Sequence, residues 1–122
     1  IFFTFWGLNV IKKKHGPAVK KTLTEKMFAH MLPKSSDSLA LSKMNMMGMG
    51  SKMIRGIMKK KNIDSLESLI RQAMDNGVEF IACQMTMDMM GIKKEELLDG
   101  VTVGGVASYM QKAEEAGVNL FI

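Results

Sequence analysis

A short pattern occurs twice in the chain: a predicted helix ends at a glycine, and a predicted buried strand follows. DNGVEFIAC, residues 75–83, shows the pattern first, and EEAGVNLFI, residues 114–122, shows it again. Glycine permits the left-handed backbone that often ends a helix, and the apolar run after it favours a strand covered on both faces. Because parallel strands need long crossovers, usually helical, these αβ units predict an α/β fold with a mainly parallel sheet and helices on both faces.

The predicted sheet has strands in four places. They are Ile1–Trp6, Val78–Cys83, Val101–Val103 and Val118–Ile122. The first, IFFTFW, lacks the alternation of a half-exposed strand and is predicted to end at Gly7.

Helices are predicted from apolar residues at helical spacing. From Pro17 to Pro33 an apolar residue recurs every four positions, at Val19, Leu23, Met27 and Met31. A short basic helix is expected from about Lys52 to Asn62, after a long loop over residues 33–52.

Two further helices precede the repeated glycines. One is predicted to begin with Asp64 as its cap and to stop at Gly77. The other carries Val106, Tyr109, Met110 and Ala113 and is followed by Gly117.

Length and composition favour one small domain over residues 1–122. The chain is 47% hydrophobic and 24% charged, as expected for a globular protein. Its apolar runs are far shorter than the roughly 20 residues that span a membrane, so no transmembrane segment is predicted. A single cysteine excludes an intrachain disulfide and a cysteine-only zinc site, and it favours a reducing, cytoplasmic location.

The net charge of +5 comes largely from lysine runs. The runs are Lys12–Lys14, Lys20–Lys21 and Lys59–Lys61. Such runs attract anionic partners or, more often, form solvated helix faces. They are not interleaved with aromatic residues, so no nucleic-acid partner is predicted.

The only cysteine, Cys83, is the last residue of a predicted strand. In open parallel sheets the ligand crevice lies beyond the carboxyl ends of the strands, which makes Cys83 a candidate nucleophile. A helix beginning near Thr86 or Met87, with Lys93 and Lys94, would favour its thiolate. The alternative is a small buried apolar side chain, a common fate of free cysteine.

A crevice around Cys83 would be lined by residues from neighbouring strand ends. The candidates are Phe5, Trp6, Gly7, Met85, Thr86, Met87, Gly104 and Gly105. Core packing is the alternative for the aromatic side chains, and close helix packing is the alternative for the glycine pair.

Methionine is unusually frequent, with 14 residues in the chain. Met44, Met46, Met47 and Met49 fall in the predicted loop, where they are candidates for a lid over the crevice. Thioethers and a thiolate are soft Cu(I) ligands, but adaptable apolar packing is the favoured interpretation, so we predict no resident metal ion.

Three stretches carry a family resemblance. FFTFWGL, LSKMNMMGMG and FIACQMTMDMMGIKKEELLDGVTVGGVASY resemble DsrE/DsrF-like proteins of sulfur-relay systems, in a methionine-rich subgroup often labelled peroxiredoxin-like. The resemblance implies a three-layer α/β domain, a cytoplasmic homo-oligomer, and a persulfide on Cys83. It also implies a strand and helix upstream of IFFTFWG, which this chain is expected to lack.

Two function classes follow. The first is a sulfur carrier or sulfurtransferase that exchanges sulfur with donor and acceptor proteins through Cys83, with no cofactor beyond the transient persulfide sulfur. A relay needs one thiol, whereas thioredoxin-like exchange and two-cysteine peroxiredoxins need a second cysteine. The second class is a noncatalytic oligomeric protein-interaction module, whose methionine surface and basic helix would bind another protein or a membrane face.

Overall fold

The computed structural model describes residues 1–39 and 47–122. Within these ranges the strands are β1 Phe2–Phe3, β2 Ile81–Cys83 and β3 Thr102–Gly104. The α-helices are α1 Leu23–Met31, α2 Met49–Lys60, α3 Leu66–Asp75, α4 Gln84–Met90 and α5 Val106–Glu115. Short 3₁₀ helices cover Phe5–Ile11, Ser36–Ser38 and Lys94–Glu96.

The strands form a parallel sheet in the order β1-β2-β3. Phe3 pairs with Ala82, and Cys83 pairs with Gly104. The end of the chain extends the sheet beyond β1, because Phe2 donates its N–H to the Leu120 carbonyl at 2.9 Å and forms an isolated parallel bridge with Phe121. The predicted α/β class with a parallel sheet is therefore confirmed.

Helical segments cover both faces of the sheet. On one face Phe3 and Ala82 belong to the main core, together with Leu8 and Ile11 of the first 3₁₀ helix and Met87 of α4. On the other face a smaller cluster contains Phe2, Ile81 and Cys83, and Tyr109 of α5 packs against it. Because side chains alternate along a strand, consecutive residues of β2 enter different cores.

The prediction of a strand over Ile1–Trp6 is wrong beyond Phe3. At Phe5 the backbone has φ 39°, and the Gly7 N–H donates to the Thr4 carbonyl at 2.8 Å, which begins a 3₁₀ helix. This helix buries Leu8 and Ile11 completely and leaves Phe5 and Trp6 largely exposed, so the aromatic run leaves the sheet after Phe3. Gly7 lies inside the 3₁₀ helix and does not end a strand.

The other predicted strands are shortened or shifted. Val78 still donates its N–H to the Ala73 carbonyl at 3.0 Å, so the chain becomes a strand only at Ile81. Gly77, at φ 82°, follows the end of α3 as predicted. The third strand lies one residue later than expected, and the segment Val118–Ile122 forms only an isolated bridge to β1.

Helix starts are set by capping side chains that the apolar spacing did not locate. Helix α1 begins at Leu23 rather than near Pro17, because Thr22 and Glu25 form a reciprocal capping box. Ser65 caps α3 in place of the predicted Asp64 by accepting the Ser68 N–H at 3.2 Å. Helix α2 begins at Met49, inside the predicted loop.

The start of α1 packs against the end of α4. Gly91 ends α4 with φ 64°, and a Cβ there would lie 2.6 Å from the Cβ of Glu25. Lys93 donates to the Glu25 carboxylate at 2.9 Å. That hydrogen bond, followed by the one from the Thr22 N–H, lowers the pKa of Glu25 from 4.5 to about 2.

Replacing Gly91 should destabilise the fold. Gly91→Ala adds a Cβ in a left-handed backbone and forces it against Glu25, so the free energy of unfolding should fall by about 1–2 kcal/mol or more. Gly56→Ala is the matched control, because Gly56 lies in exposed α2 with no atom near its added Cβ. In urea denaturation, the free energy of unfolding of the control should rise by about 0.5–1 kcal/mol. Equal losses of unfolding free energy in both variants would contradict the contact with Glu25.

The Glu25 ion pair should make stability depend on pH. A lowered pKa in the folded state means that the contribution is present above pH 4.5 and is lost as the pH falls toward about 2. Glu25→Gln can retain the capping box while removing the charge. The difference in free energy of unfolding between wild type and variant should therefore shrink over that pH range, and a difference that stays constant would argue against the pair.

Candidate functional site

Cys83 lies at a junction between two elements. It is the last residue of β2 and also the N-cap residue of α4, so no loop separates the strand from the helix. The ladder to Gly104 fixes one side of this junction, and the packing of Met87 in the main core holds the helix. The backbone therefore positions the thiol from both directions.

Three aromatic rings meet at the cluster that contains the thiol. The Phe2 ring centroid lies 4.9 Å from that of Tyr109 and 5.3 Å from that of Phe121, and the Tyr109 and Phe121 centroids are 5.9 Å apart. Cys83 itself is only 4% exposed. We call these three rings the aromatic cover; Phe2 belongs to the same buried cluster as Cys83, and Tyr109 packs against that cluster.

Gly104 lies beside Cys83 across the ladder and has no side chain to place there. An added Cβ would lie 3.2 Å from the Cβ of Ser108 and 3.3 Å from a methyl carbon of Ile81. Glycine at this position therefore lets the first turn of α5 lie close to the sheet. Gly105 is the N-cap residue of α5, where an added Cβ would meet open space.

The predicted α4 residues occupy three different environments. Thr86 is completely buried, and its hydroxyl has no hydrogen-bond partner among the residues that the structure describes. Met87 is buried in the main core, whereas Met85 is exposed. An unsatisfied buried hydroxyl carries a free-energy penalty of about 1–3 kcal/mol. The hydroxyl of Thr86 is therefore a candidate to bind a ligand or a reacting group.

The remaining predicted crevice residues follow β1. Phe5 and Trp6 have largely exposed side chains in the first 3₁₀ helix, and Gly7 packs against the backbone of Ile122. The best-formed cavities among the described residues are lined by neither Cys83 nor Trp6. A crevice shared by these residues stays a prediction.

Two charged groups near α4, Lys93 and Asp88, already have partners. Lys93 is paired with Glu25, which raises the pKa of the lysine, and Asp88 accepts a hydrogen bond from Gln84 at 2.9 Å. Lys94 lies exposed in a 3₁₀ helix. The ammonium of Lys93 is therefore directed to an ion pair rather than held free for a thiolate.

The predicted methionine lid is only partly described. Met44 and Met46 lie outside the described residues, while Met47 and Met49 are exposed just before and at the start of α2. Sequence reasoning did not identify the aromatic group of Phe2, Tyr109 and Phe121, of which Phe2 shares a buried cluster with Cys83. The aromatic character of each was visible, but their convergence depends on the strand order.

In the described ranges, no helix combines the length and apolar character needed to cross a membrane. The same residues contain no cluster of three or more histidine, cysteine or acidic side chains arranged to hold a metal ion.

Comparison with known proteins gives matches along the whole chain. The sequence profile of the DsrE/DsrF/DrsH-like family matches residues 1–121. Uncharacterized protein YrkE of Bacillus subtilis strain 168 is 51% identical over 122 residues, which cover 100% of this chain and 76% of that protein. Sulfur carrier protein DsrE2 of Allochromatium vinosum is 36% identical over 123 residues, covering 100% of this chain and 77% of that protein.

The aromatic cover should control access to the thiol. Tyr109→Ala removes a ring that packs on the Cys83 cluster, and labelling of Cys83 by a thiol reagent should become faster by up to about tenfold. Met110→Ala, at the next position of α5 and exposed in the native structure, should leave the rate unchanged. Equal rates in wild type and Tyr109→Ala would show that Tyr109 does not limit access.

Proposed function

Because this chain belongs to the DsrE/DsrF/DrsH-like family, we propose that it carries sulfane sulfur as a persulfide on Cys83 and passes it to an acceptor thiol. Family membership and the sulfur carrier among its relatives support a sulfur-relay role. The observation that carries the residue assignment is the position of the single thiol, at the carboxyl end of the central strand and the start of α4.

The proposed transfer balances without an external oxidant. The Cys83 thiolate attacks the outer sulfur of a donor persulfide; a sulfur–sulfur bond forms to Cys83, and the bond within the donor breaks to release the donor thiolate. An acceptor thiolate then attacks the outer sulfur on Cys83, and the Cys83 thiolate leaves. One cysteine is sufficient, and no cofactor takes part beyond the sulfur itself.

The buried thiol must become accessible in this proposal. Helix α5 is the element suited to open, because none of its residues is buried and Tyr109 is its packing contact with the Cys83 cluster. When α5 returned to its closed position, it would exclude water and oxidants from the persulfide. The predicted lid, including Met47 and Met49, would act at the same step.

Thr86 is the proposed polar partner of the loaded sulfur. Its hydroxyl is buried and has no partner among the described residues, and Thr86 lies in the first turn of α4, whose N-cap residue is Cys83. A hydrogen bond to the terminal sulfur would relieve the penalty of the unsatisfied group.

The partners in this proposal are donor and acceptor proteins that present a persulfide or a thiol. A cytoplasmic location, where such thiols stay reduced, and a homo-oligomeric state belong to the same proposal. The rival function is a noncatalytic interaction module, which is favoured by the exposed apolar residues of α1 and α2.

The first test is persulfide loading measured by intact mass. The reduced protein is incubated with a persulfide donor and freed from excess reagent, and wild type should gain one sulfur atom that an acceptor thiol then removes. Cys83→Ser should gain none, and Thr86→Val should load but lose its sulfur faster. No gain by folded wild type across several donors would reject the carrier and favour the interaction module.

A further inference from the structure

Helix α2 is basic and lies at the surface. Its residues Met49–Lys60 include four basic side chains and no acidic one, and Lys61 follows directly. None of its residues is buried in the described structure, although its apolar residues recur at helical spacing. This helix therefore places no fully buried side chain in the core and leaves much of its apolar surface open to a partner.

One side of α2 faces the rest of the protein. Ser51, Ile54, Arg55, Met58 and Lys59 contribute to the lining of a cavity between α2 and the segment Ile63–Ser68. At about 3.6 residues per turn, these five positions fall on one half of the helix.

The opposite side carries an apolar strip. Met49, Met53 and Ile57 follow one another at four-residue spacing, so they form a single row. All three side chains are exposed, Met53 to 62%. None of them lines the cavity, so the strip projects away from it.

Lysines accompany this strip along its length. Lys52 lies three positions after Met49, and Lys60 lies three positions after Ile57, so each adjoins the row on the helix surface. Their long aliphatic stems can lie along an apolar phase while the ammonium groups stay in a polar layer. The apolar strip and its flanking lysines are therefore suited to a boundary between an apolar phase and an anionic layer.

We propose that α2 docks the protein on an anionic phospholipid surface, with Met49, Met53 and Ile57 in the lipid boundary and Lys52 and Lys60 at the phosphates. A strongly amphipathic helix with low overall hydrophobicity and a Lys/Arg-rich polar face is typical of helices that lie in a membrane interface. The charge is complementary, because α2 offers only positive side chains to the negative lipid headgroups. All three side chains of the strip are exposed, so they can enter a lipid boundary without rearrangement of the core.

Vesicle cosedimentation tests this directly. The protein is mixed with phosphatidylcholine vesicles that contain or lack phosphatidylglycerol, at low and at physiological salt. We expect binding to the anionic vesicles only, and weaker binding at the higher salt. Absence of binding to anionic vesicles at low salt, or equal binding to neutral vesicles, would overturn the proposal.

Matched variants separate α2 from nonspecific charge. Lys52→Gln with Lys60→Gln should weaken partitioning by more than about tenfold, since each basic residue near such a surface contributes about fivefold. Lys20→Gln with Lys26→Gln makes the same change of net charge at exposed positions elsewhere and should retain most binding. Equal losses in the two pairs would overturn the assignment to α2.

The apolar strip has its own control. Met53→Ser should reduce binding, whereas Met27→Ser, which changes a methionine exposed to 60% on α1, should not. All these side chains are exposed, so the variants should fold, and circular dichroism checks that they do. Cys83→Ser should bind vesicles like wild type, so membrane docking and sulfur loading can fail independently.

Discussion

The register of the central strand is the constraint on which the rest of this structure depends. The Ile81 N–H donates to the Ile1 carbonyl at 2.8 Å, and the Thr102 N–H donates to the Phe80 carbonyl at 2.9 Å, so β2 is bonded on both sides. Because side chains alternate along a strand, a shift of one residue would move Cys83 from the α5 face into the main core. The thiol would then lose Gly104 as its neighbour and the aromatic cluster as its cover.

The sequence was most informative where local chemistry and tertiary packing agree. The glycine after α3, the position of Cys83 at a strand end and the presence of a helix over Val106–Ala113 all follow from local patterns. The first strand was overestimated because an apolar 3₁₀ helix and a buried strand share the same composition. Its early end depends on the backbone at Phe5 and on the packing of Gly7 against Ile122, which are distant in sequence.

The candidate site was only partly predictable for a related reason. Pairing between Cys83 and Gly104 follows once parallel strands are aligned, but the packing of Tyr109 against the Cys83 cluster depends on how α5 crosses the sheet. The capping box at Thr22 was readable as a Thr-x-x-Glu pattern, and apolar spacing alone placed that helix start too early. Periodicity defines which face of a helix is apolar, whereas caps define where the helix begins.

The two proposed activities use different parts of the molecule and different physical properties. Sulfur transfer would rely on a buried, backbone-fixed thiol, for which packing limits access and protects a reactive group. Lipid docking would rely on an exposed helix whose residues contribute little to the core. A protein that combines them would hold its sulfur inside the fold, while the exposed helix α2 would determine which surface the protein binds.

The position of Trp6 also determines which optical signal reports on this fold. The only tryptophan is 60% exposed in the first 3₁₀ helix, so its indole is already solvated in the native state. Its emission will therefore change little when the core opens. Tyr109, the only tyrosine, packs against Phe2 and Phe121 beside the thiol, so its near-ultraviolet absorption and dichroism will follow the state of the site.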